Sequence, residues 1–346
     1  MEILTRDLTY RNPYAIEYLP ALARLHLAAW SPSQRMRQEI IKLPLRPIFK
    51  WVYKTGWGGS GRMRLNLQGT WTTLPFDARN LQFTSLYMPQ HAQGYEPETA
   101  ALIDTLAASR SVFYDVGSNW GYYSLWIAGR AGFEGHVHAF EPLPGSFQDL
   151  TDLVARAGLA ARITCHHAAL SDSAAPAAMV IPDGLHSGLA TVSQGPGGVA
   201  ITRQRLDDLG IAAPDVIKMD VEDHEARVLA GGRQTLDKAK PHIVFESVRG
   251  RQKPSERIAP FALLEKLGYL FFCPTWVEKA DGYNGYIECS KYRQGQPATL
   301  ALVPFQPCQI FFLKEHLNVL ACHQDKLPQL LALFSPARGA VCPANG

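Results

Sequence analysis

The sequence predicts an α/β fold, a mostly parallel sheet with helices on both faces. Three observations carry this expectation. Short apolar runs of strand length recur at residues 112–116, 136–140, 162–167, 215–219 and 242–246. Helical patterns alternate with them at 122–130, 145–157, 225–237 and 255–267, and such alternation implies crossover connections. The first run, Val112-Phe113-Tyr114-Asp115-Val116, breaks into a turn carrying Gly117 and Gly121 and resumes as a helix. A strand, a glycine turn and a helix start give a ligand access to backbone N–H groups.

The remaining elements follow in order. The 346 residues suit one large α/β domain with an attached segment. Residues 1–60 read as an N-terminal helical basic arm, opening with an apolar helix over 14–30. Arg35, Arg37, Lys42, Arg46, Lys50 and Lys54 then interleave with Ile40, Ile41, Leu43, Leu45, Ile48, Phe49, Trp51, Val52 and Tyr53. Pro44 and Pro47 exclude one long helix. Two readings stay open: a basic amphipathic segment on an anionic membrane surface, or an arm packed on its own domain or a second subunit. The second is the more ordinary outcome for a charge run. Residues 55–61 lack the Lys of a phosphate cradle and read as a glycine-rich linker. From there a domain is expected over 61–334. It opens with a β-hairpin over 63–87 and a helix over 95–108 that has Pro97 in its first turn. Strands over 269–273 and 309–313 would close the sheet edge. Residues 171–198 and 279–297 read as irregular, the first with a turn at Pro182-Asp183-Gly184, and long connections of this kind are often lids or binding loops. Residues 335–346 read as a flexible tail.

Composition bounds the function. At 47% hydrophobic and 19% charged residues the chain can bury a sizeable core. A net charge of +3 gives no global argument for nucleic acid, and none is expected as a partner. Six cysteines without a CxxC pair read as reduced thiols. The N-terminus lacks the basic-then-apolar pattern of a secretory signal, and no run approaches the roughly 18 apolar residues of a membrane span. The expectation is a cytoplasmic protein, with a homo-oligomer left open.

In open α/β sheets ligands bind at the carboxyl ends of the strands, where strand order reverses. Asp115, Gly117, Asn119 and Gly121 follow the first strand, Glu141 and Pro142 the second, and Ala169, Leu170 and Ser171 the third. Asp220, Glu222, Asp223, His224 and Glu225 follow the fourth, and Glu246 ends the fifth. An acid a little over twenty residues past the glycine turn is placed to grip a ribose diol, so Glu141 points to an adenosine-type ligand. The turn lacks the middle glycine of a dinucleotide site. It has an acid, Asp115, at its entrance, which repels pyrophosphate but suits an ammonium or sulfonium. S-adenosylmethionine has both, and is favoured over NAD.

Here the chain resembles the FkbM-family methyltransferases, a branch of the class I S-adenosylmethionine-dependent enzymes. The matching stretches are Tyr95-Glu96-Pro97-Glu98, then Phe113 to Ser124, Ala139-Phe140-Glu141-Pro142, Ala169-Leu170-Ser171, Arg205 to Leu209, Ile217 to Glu225, Val228 to Gly231 and Pro241 to Glu246. The family usually has glycine where Asp223 stands. The resemblance implies a class I, Rossmann-like seven-stranded sheet and O-methyl transfer, often onto sugar hydroxyls or natural products. It implies that Asp115, Gly117, Ser118, Asn119 and Gly121 hold the methionine part of the donor and Glu141, beside Pro142, its ribose. Ala169 and Leu170 would lie against adenine, and Asp220 would border donor and acceptor.

A sugar hydroxyl is a poor nucleophile, so a positioned base helps. His224 is the first candidate, among Asp220, Glu222 and Glu225, acids that would favour its protonation. Asp220 and Glu222 complete the catalytic set, and His186 and His167 are weaker candidates. Asp220 and Glu246 offer oxygen ligands that would suit Mg²⁺, although no metal is predicted. Two rival functions remain: an NAD-type oxidoreductase, and a non-catalytic S-adenosylmethionine- or glycan-binding protein held at a membrane surface by its basic arm.

Overall fold

The chain opens as strand rather than helix. In the computed structural model, which describes residues 1–31, 36–181, 186–193, 197–247, 253–280, 283–287, 293–311 and 317–336, β1 (Leu4–Leu8) and β2 (Tyr14–Tyr18) precede α1 (Ala21–Trp30). The helix expected over 14–30 therefore starts only after Pro20, which caps α1 in an extended conformation. α2 (Met36–Lys42) and α3 (Leu45–Thr55) follow, and α3 stops at Gly56 in the left-handed region. β3 (Ser60–Leu67) and β4 (Thr70–Asp77) form a hairpin across Gln68-Gly69, both at positive φ. Inside β3, a Cβ on Gly61 would sit 2.5 Å from the Phe76 ring, so this glycine stretch is packed and is not a free linker. Residues 80–87, expected as a strand, instead hold a 3₁₀ helix (Leu81–Leu86) whose Asn80 cap accepts from Gln82 N.

The expected alternation then appears. α4 (Pro97–Leu106), β5 (Val112–Val116), α5 (Tyr122–Gly129), β6 (His136–Phe140), α6 (Pro144–Arg156) and β7 (Ile163–His166) follow in turn. The stretch read as irregular carries strands. β8 (Ala169–Leu170), β9 (Pro176–Val180), β10 (Thr191–Ser193) and β11 (Val199–Gln204) make a side sheet in the order β10-β9-β11-β8. The Pro182-Asp183-Gly184 turn lies outside the described residues. After β12 (Val216–Met219) the helix expected over 225–237 is split at Gly232 into α7 (Glu225–Gly231) and α8 (Arg233–Ala239). β13 (His242–Ser247), α9 (Pro254–Lys266), β14 (Tyr269–Ala280), β15 (Tyr283–Ile287), β16 (Ala298–Phe305), β17 (Leu317–His323), α10 (Leu327–Leu333) and β18 (Ser335–Pro336) complete the chain. The strand expected over 309–313 is a 3₁₀ turn where described (Pro307–Phe311).

The main sheet has eleven strands, not seven, in the order β18-β1-β16-β14-β17-β13-β12-β5-β6-β7, with β15 on β14. Only β13-β12-β5-β6-β7 run parallel; every other pairing is antiparallel. The extra strands have a physical reason. β14 is twelve residues long and leaves an edge that β16 pairs from Phe271 to Val277; β1 covers β16, and β18 covers β1. The edge is thus filled by both ends of the chain. The 1–60 segment is accordingly not a separate arm: β1 belongs to the main sheet and β2 to the β3–β4 hairpin. Start of the expected tail though it is, Ser335 pairs with Thr5; residues 337–346 lie outside the described residues.

Two apolar cores flank the sheet. One centres on Phe113, Val137, Leu125 and Ile127, the other on Tyr114, Ile217, Phe245 and Phe261. Cys165, Cys273, Cys308 and Cys322 are free thiols, and Cys289 and Cys342 lie outside the described residues. Among the described residues no helix is long and apolar enough to cross a membrane.

Candidate active site

β5 is where the strand order reverses. From β5 the chain steps to β6 and β7 on one side and returns to β12 on the other, opening a crevice between the ends of β5 and β12. Gly117 ends one lip and Asp220 the other. A Cβ on Gly117 would fall 1.9 Å from the Asp220 carbonyl oxygen, so only glycine lets the loops meet. Its φ of 79° needs the left-handed region as well. Asp220 N in turn donates to Val116 O, and Gly117 N and Ser118 N both donate to Phe140 O. Gly121 caps α5 at φ 91°, with Leu150 pressed against the space a Cβ would take.

Two adjoining cavities meet at this point. The first has a cavity volume of about 60 Å³ and is lined by Glu141, Pro142, Ala169, Leu170, Met179, Val192 and His224, among others. The second has a cavity volume of about 250 Å³ and is lined by Tyr95, Asp115, Ser118, Tyr123, Lys218 and Glu246 among others. Gly117, Asn119, Asp220 and Glu222 line both. The first is largely apolar, with Glu141, Asp220 and Glu222 as its acids; the second is polar and charged. The structure thus gathers the predicted site residues but divides them between two chambers, with Gly121 behind the loop.

Glu141 is buried at the end of β6. Its Oε2 accepts from Asn119 N at 2.9 Å and its Oε1 from Leu143 N at 2.8 Å, so the carboxylate ties the glycine loop to its own strand. Burial pushes its carboxyl up to about 7, against these two hydrogen bonds. Asn119, at φ 48°, donates from Nδ2 to Ser187 Oγ and accepts from Asn80. The 3₁₀ segment Ser187–Leu189 is thereby fastened across the loop.

Asp115 departs from the simple picture of an acid facing a cationic ligand. It is buried, and its Oδ2 accepts from both Ser124 N (3.0 Å) and Ser124 Oγ (2.6 Å), which fixes the start of α5. Burial raises its carboxyl, and Lys218 pulls against that rise. Lys218 itself went unnoticed in the sequence because a lysine in a buried strand reads as an interruption. Its Nζ donates to Asp220 Oδ2 at 2.8 Å and stands 5.3 Å from the centre of the Tyr123 ring. Burial lowers the ammonium, but Asp220, Glu96 and Asp115 together hold it above its ordinary value. Glu96 is the second missed residue. Held at φ 42° ahead of Pro97, it accepts from Tyr123 Oη at 3.1 Å, and burial pushes it up to about 7. The Tyr95-Glu96-Pro97 stretch was the available signal.

His224 reverses the expectation of protonation. Burial brings its imidazole down to about 4; Arg227 and Arg203 add to this, and only Asp172 opposes. Its Nε2 lies 2.9 Å from Ser171 Oγ, and it faces the Glu141 chamber, not the Lys218 chamber. The preceding Glu222 and Asp223 stand at φ 48° and 73°, so the position where glycine is usual is left-handed here too. For Mg²⁺ the donor set does not fit. No three His, Cys, Asp or Glu among the described residues are grouped to hold a metal, and Lys218 already places a cation on Asp220.

Residues 115–271 match the family model of the methyltransferase FkbM domain. That stretch is similar to an FkbM methyltransferase domain. The matched stretch runs from Asp115 at the glycine loop into β14, and so contains both lips of the crevice, Glu141 and the side sheet. Among solved structures the chain is similar to an FkbM methyltransferase from Methylobacillus flagellatus, at 18% identity and a TM-score of 0.35, over 56% of this chain and 44% of that one. It is also similar to an S-adenosylmethionine-dependent O-methyltransferase from Thermotoga maritima, at 11% identity and a TM-score of 0.34, over 76% and 82% of the two chains. A third likeness is to the O-methyltransferase TomG of Streptomyces achromogenes, determined with S-adenosylmethionine, at 15% identity and a TM-score of 0.35, over 66% and 87%. The chain thus spans under half the length of the first of these. No curated protein sequence matches it.

Proposed function

We propose that the protein is an S-adenosylmethionine-dependent O-methyltransferase acting on a hydroxyl of a sugar, a glycan or a glycosylated natural product. The observation that supports this is the pair of chambers meeting at the Gly117–Asp220 contact. The apolar one offers the Glu141 carboxylate for a ribose diol; each of its oxygens keeps a lone pair beyond the N–H it accepts. Ala169, Leu170 and His224 would border the base. The charged one takes the amino-acid end and the acceptor. A pyrophosphate there would meet Asp115, Asp220, Glu222 and Glu246, which speaks against NAD.

The donor supplies an already activated methyl group, so the protein's task is alignment and exclusion of water. Asn119, Asn80 and Ser187 hold a covering segment over the loop. Asp220 and Glu222, on the floor common to both chambers, are placed to orient the acceptor hydroxyl and to take its proton as the new bond forms. Lys218 holds Asp220 in place through an ion pair at 2.8 Å. His224 lies on the nucleoside side and serves there as a neutral hydrogen-bonding group.

Titration calorimetry with S-adenosylhomocysteine tests the donor half: one molecule should bind per chain, Glu141→Ala should weaken it about 10-fold or more, and NAD should not bind. Absence of homocysteine-nucleoside binding by the wild type sinks the proposal. Transfer of labelled methyl to a panel of glycosides, with the product read by NMR as a methyl ether, tests the acceptor half. A methylated nitrogen or carbon would overturn the O-methyl assignment.

A further inference from the structure

Among the described residues, six of the thirteen large hydrophobic side chains that stand exposed fall within residues 40–57: Ile40, Ile41, Leu43, Ile48, Trp51 and Trp57. Ile40, Ile41, Leu43 and Trp51 are 66–69% exposed. The other exposed large hydrophobics are scattered, as on any soluble surface. α3 has already satisfied its inner face. Phe49 is 1% exposed, stacked on His26 at 4.8 Å and edge-on to Trp30 at 5.0 Å, and Val52 and Tyr53 pack beside it. Among the described residues the outward face is left uncovered.

Charge indicates what that face meets. Lys50 and Lys54, one turn apart on α3, are exposed and make no ion pair among the described residues. Lys42 and Arg46, by contrast, turn inward: Lys42 Nζ donates to Ser31 O and pairs with Glu39, and Arg46 lies over the Trp30 ring. The free cations thus stand on the same helix as exposed Ile48 and Trp51. A two-fold interface between copies would bring this lysine-bearing face against itself. Apolar side chains, a tryptophan and free lysines together match the headgroup–acyl boundary of an anionic bilayer. At seven and eleven residues, α2 and α3 are too short to cross one.

We propose that the α2–α3 hairpin docks on an anionic phospholipid surface. Ile40, Ile41, Leu43, Ile48 and Trp51 enter the boundary, while Lys50 and Lys54 meet lipid phosphates. This does not rest on the methyl-transfer reading.

The test is sedimentation of the full chain with vesicles of phosphatidylcholine alone or mixed with phosphatidylglycerol, at low salt. Wild type should partition onto the mixed vesicles at least about 10-fold better than onto phosphatidylcholine, with tryptophan fluorescence quenched by brominated acyl chains. Lys50→Ala/Lys54→Ala should lower partitioning roughly 30-fold. Ile48→Ser/Trp51→Ser should abolish quenching yet keep the wild-type melting temperature. Equal binding to both vesicles, or binding without quenching, would overturn the proposal. So would sedimentation velocity showing a dimer that Ile48→Ser/Trp51→Ser splits, with no vesicle binding by wild type: the face would then be covered by a second copy.

Discussion

Gly117 is the residue on which the crevice depends, because it combines a left-handed φ with a backbone approach that no Cβ allows. Gly117→Ala should cost roughly 2 kcal/mol or more, from the left-handed strain and the displaced Asp220 carbonyl. Chemical denaturation would show it, together with loss of S-adenosylhomocysteine binding; an unchanged midpoint would mean that the two loops can part freely. Lys218 carries a different load. It sits buried among Asp115, Glu96 and Asp220, so Lys218→Met leaves three acids facing one another without a counter-charge. A loss of about 3–5 kcal/mol is expected, and recovery in the double variant Lys218→Met/Asp220→Asn would show that charge, not packing, was lost. Asp223 departs from the usual glycine, yet its φ of 73° keeps the glycine conformation. Asp223→Gly should therefore keep the melting temperature, and Asp223→Val should lower it, since a β-branched side chain resists that region.

At the scale of elements, legibility followed the locality of the signal. The strands at 112–116 and 136–140 and the helix near 145–157 are written as contiguous apolar runs and caps, and the structure places them within a residue or so. β9 and β10 were hidden because Pro-Ala-Ala-Met-Val and Thr-Val-Ser are too short and too weakly patterned to mark a strand; β9 exists by pairing with β11, and β10 by pairing with β9. β1 was hidden for another reason: its partners are Leu302 and Pro336, some three hundred residues away, and no local pattern announces such a pairing. At the site, Glu141 and the glycine loop were readable by spacing. Lys218 and Glu96 were not, because their roles arise only when β12 and the α4 cap are brought together. α3 shows how packing decides a segment that composition left open. Phe49 holds it against His26 and Trp30, so Phe49→Ala should cost about 3–5 kcal/mol if the helix unfolds with the rest. If α3 instead detaches alone, hydrogen exchange over 45–55 would rise while the global transition stays put, and the helix would be an independent flap.

The whole molecule carries two opposed sets of shifted groups, and their balance sets its response to pH. Burial raises the carboxyls of Glu96 and Glu141 to about 7, Glu225 to about 8 and Asp149 to about 6. Each keeps its proton in the folded state after the unfolded chain has lost it, so each makes stability fall as pH rises from the ordinary carboxyl range to its own raised value. Burial also lowers His26, His138, His224 and His242 to about 4. These are neutral when folded and protonated when unfolded between about 4 and the ordinary imidazole value near 6.5, so they make stability rise with pH across that window. Between about 4.5 and 6.5 the two sets oppose each other. Above about 6.5 the histidines approach neutrality in both states, while Glu96, Glu141 and Glu225 still change. The ligand-free protein should therefore melt at a lower temperature at pH 8.5 than at pH 6.5, with the last part of the decline belonging to Glu225. Calorimetric scans at half-unit steps check this, and Glu225→Gln should flatten the curve between pH 7 and 8 and remove the same one-proton slope from its lower part down to about pH 4.5. A midpoint that climbs from pH 6.5 to 8.5 would mean that these acids meet counter-charges which offset their burial.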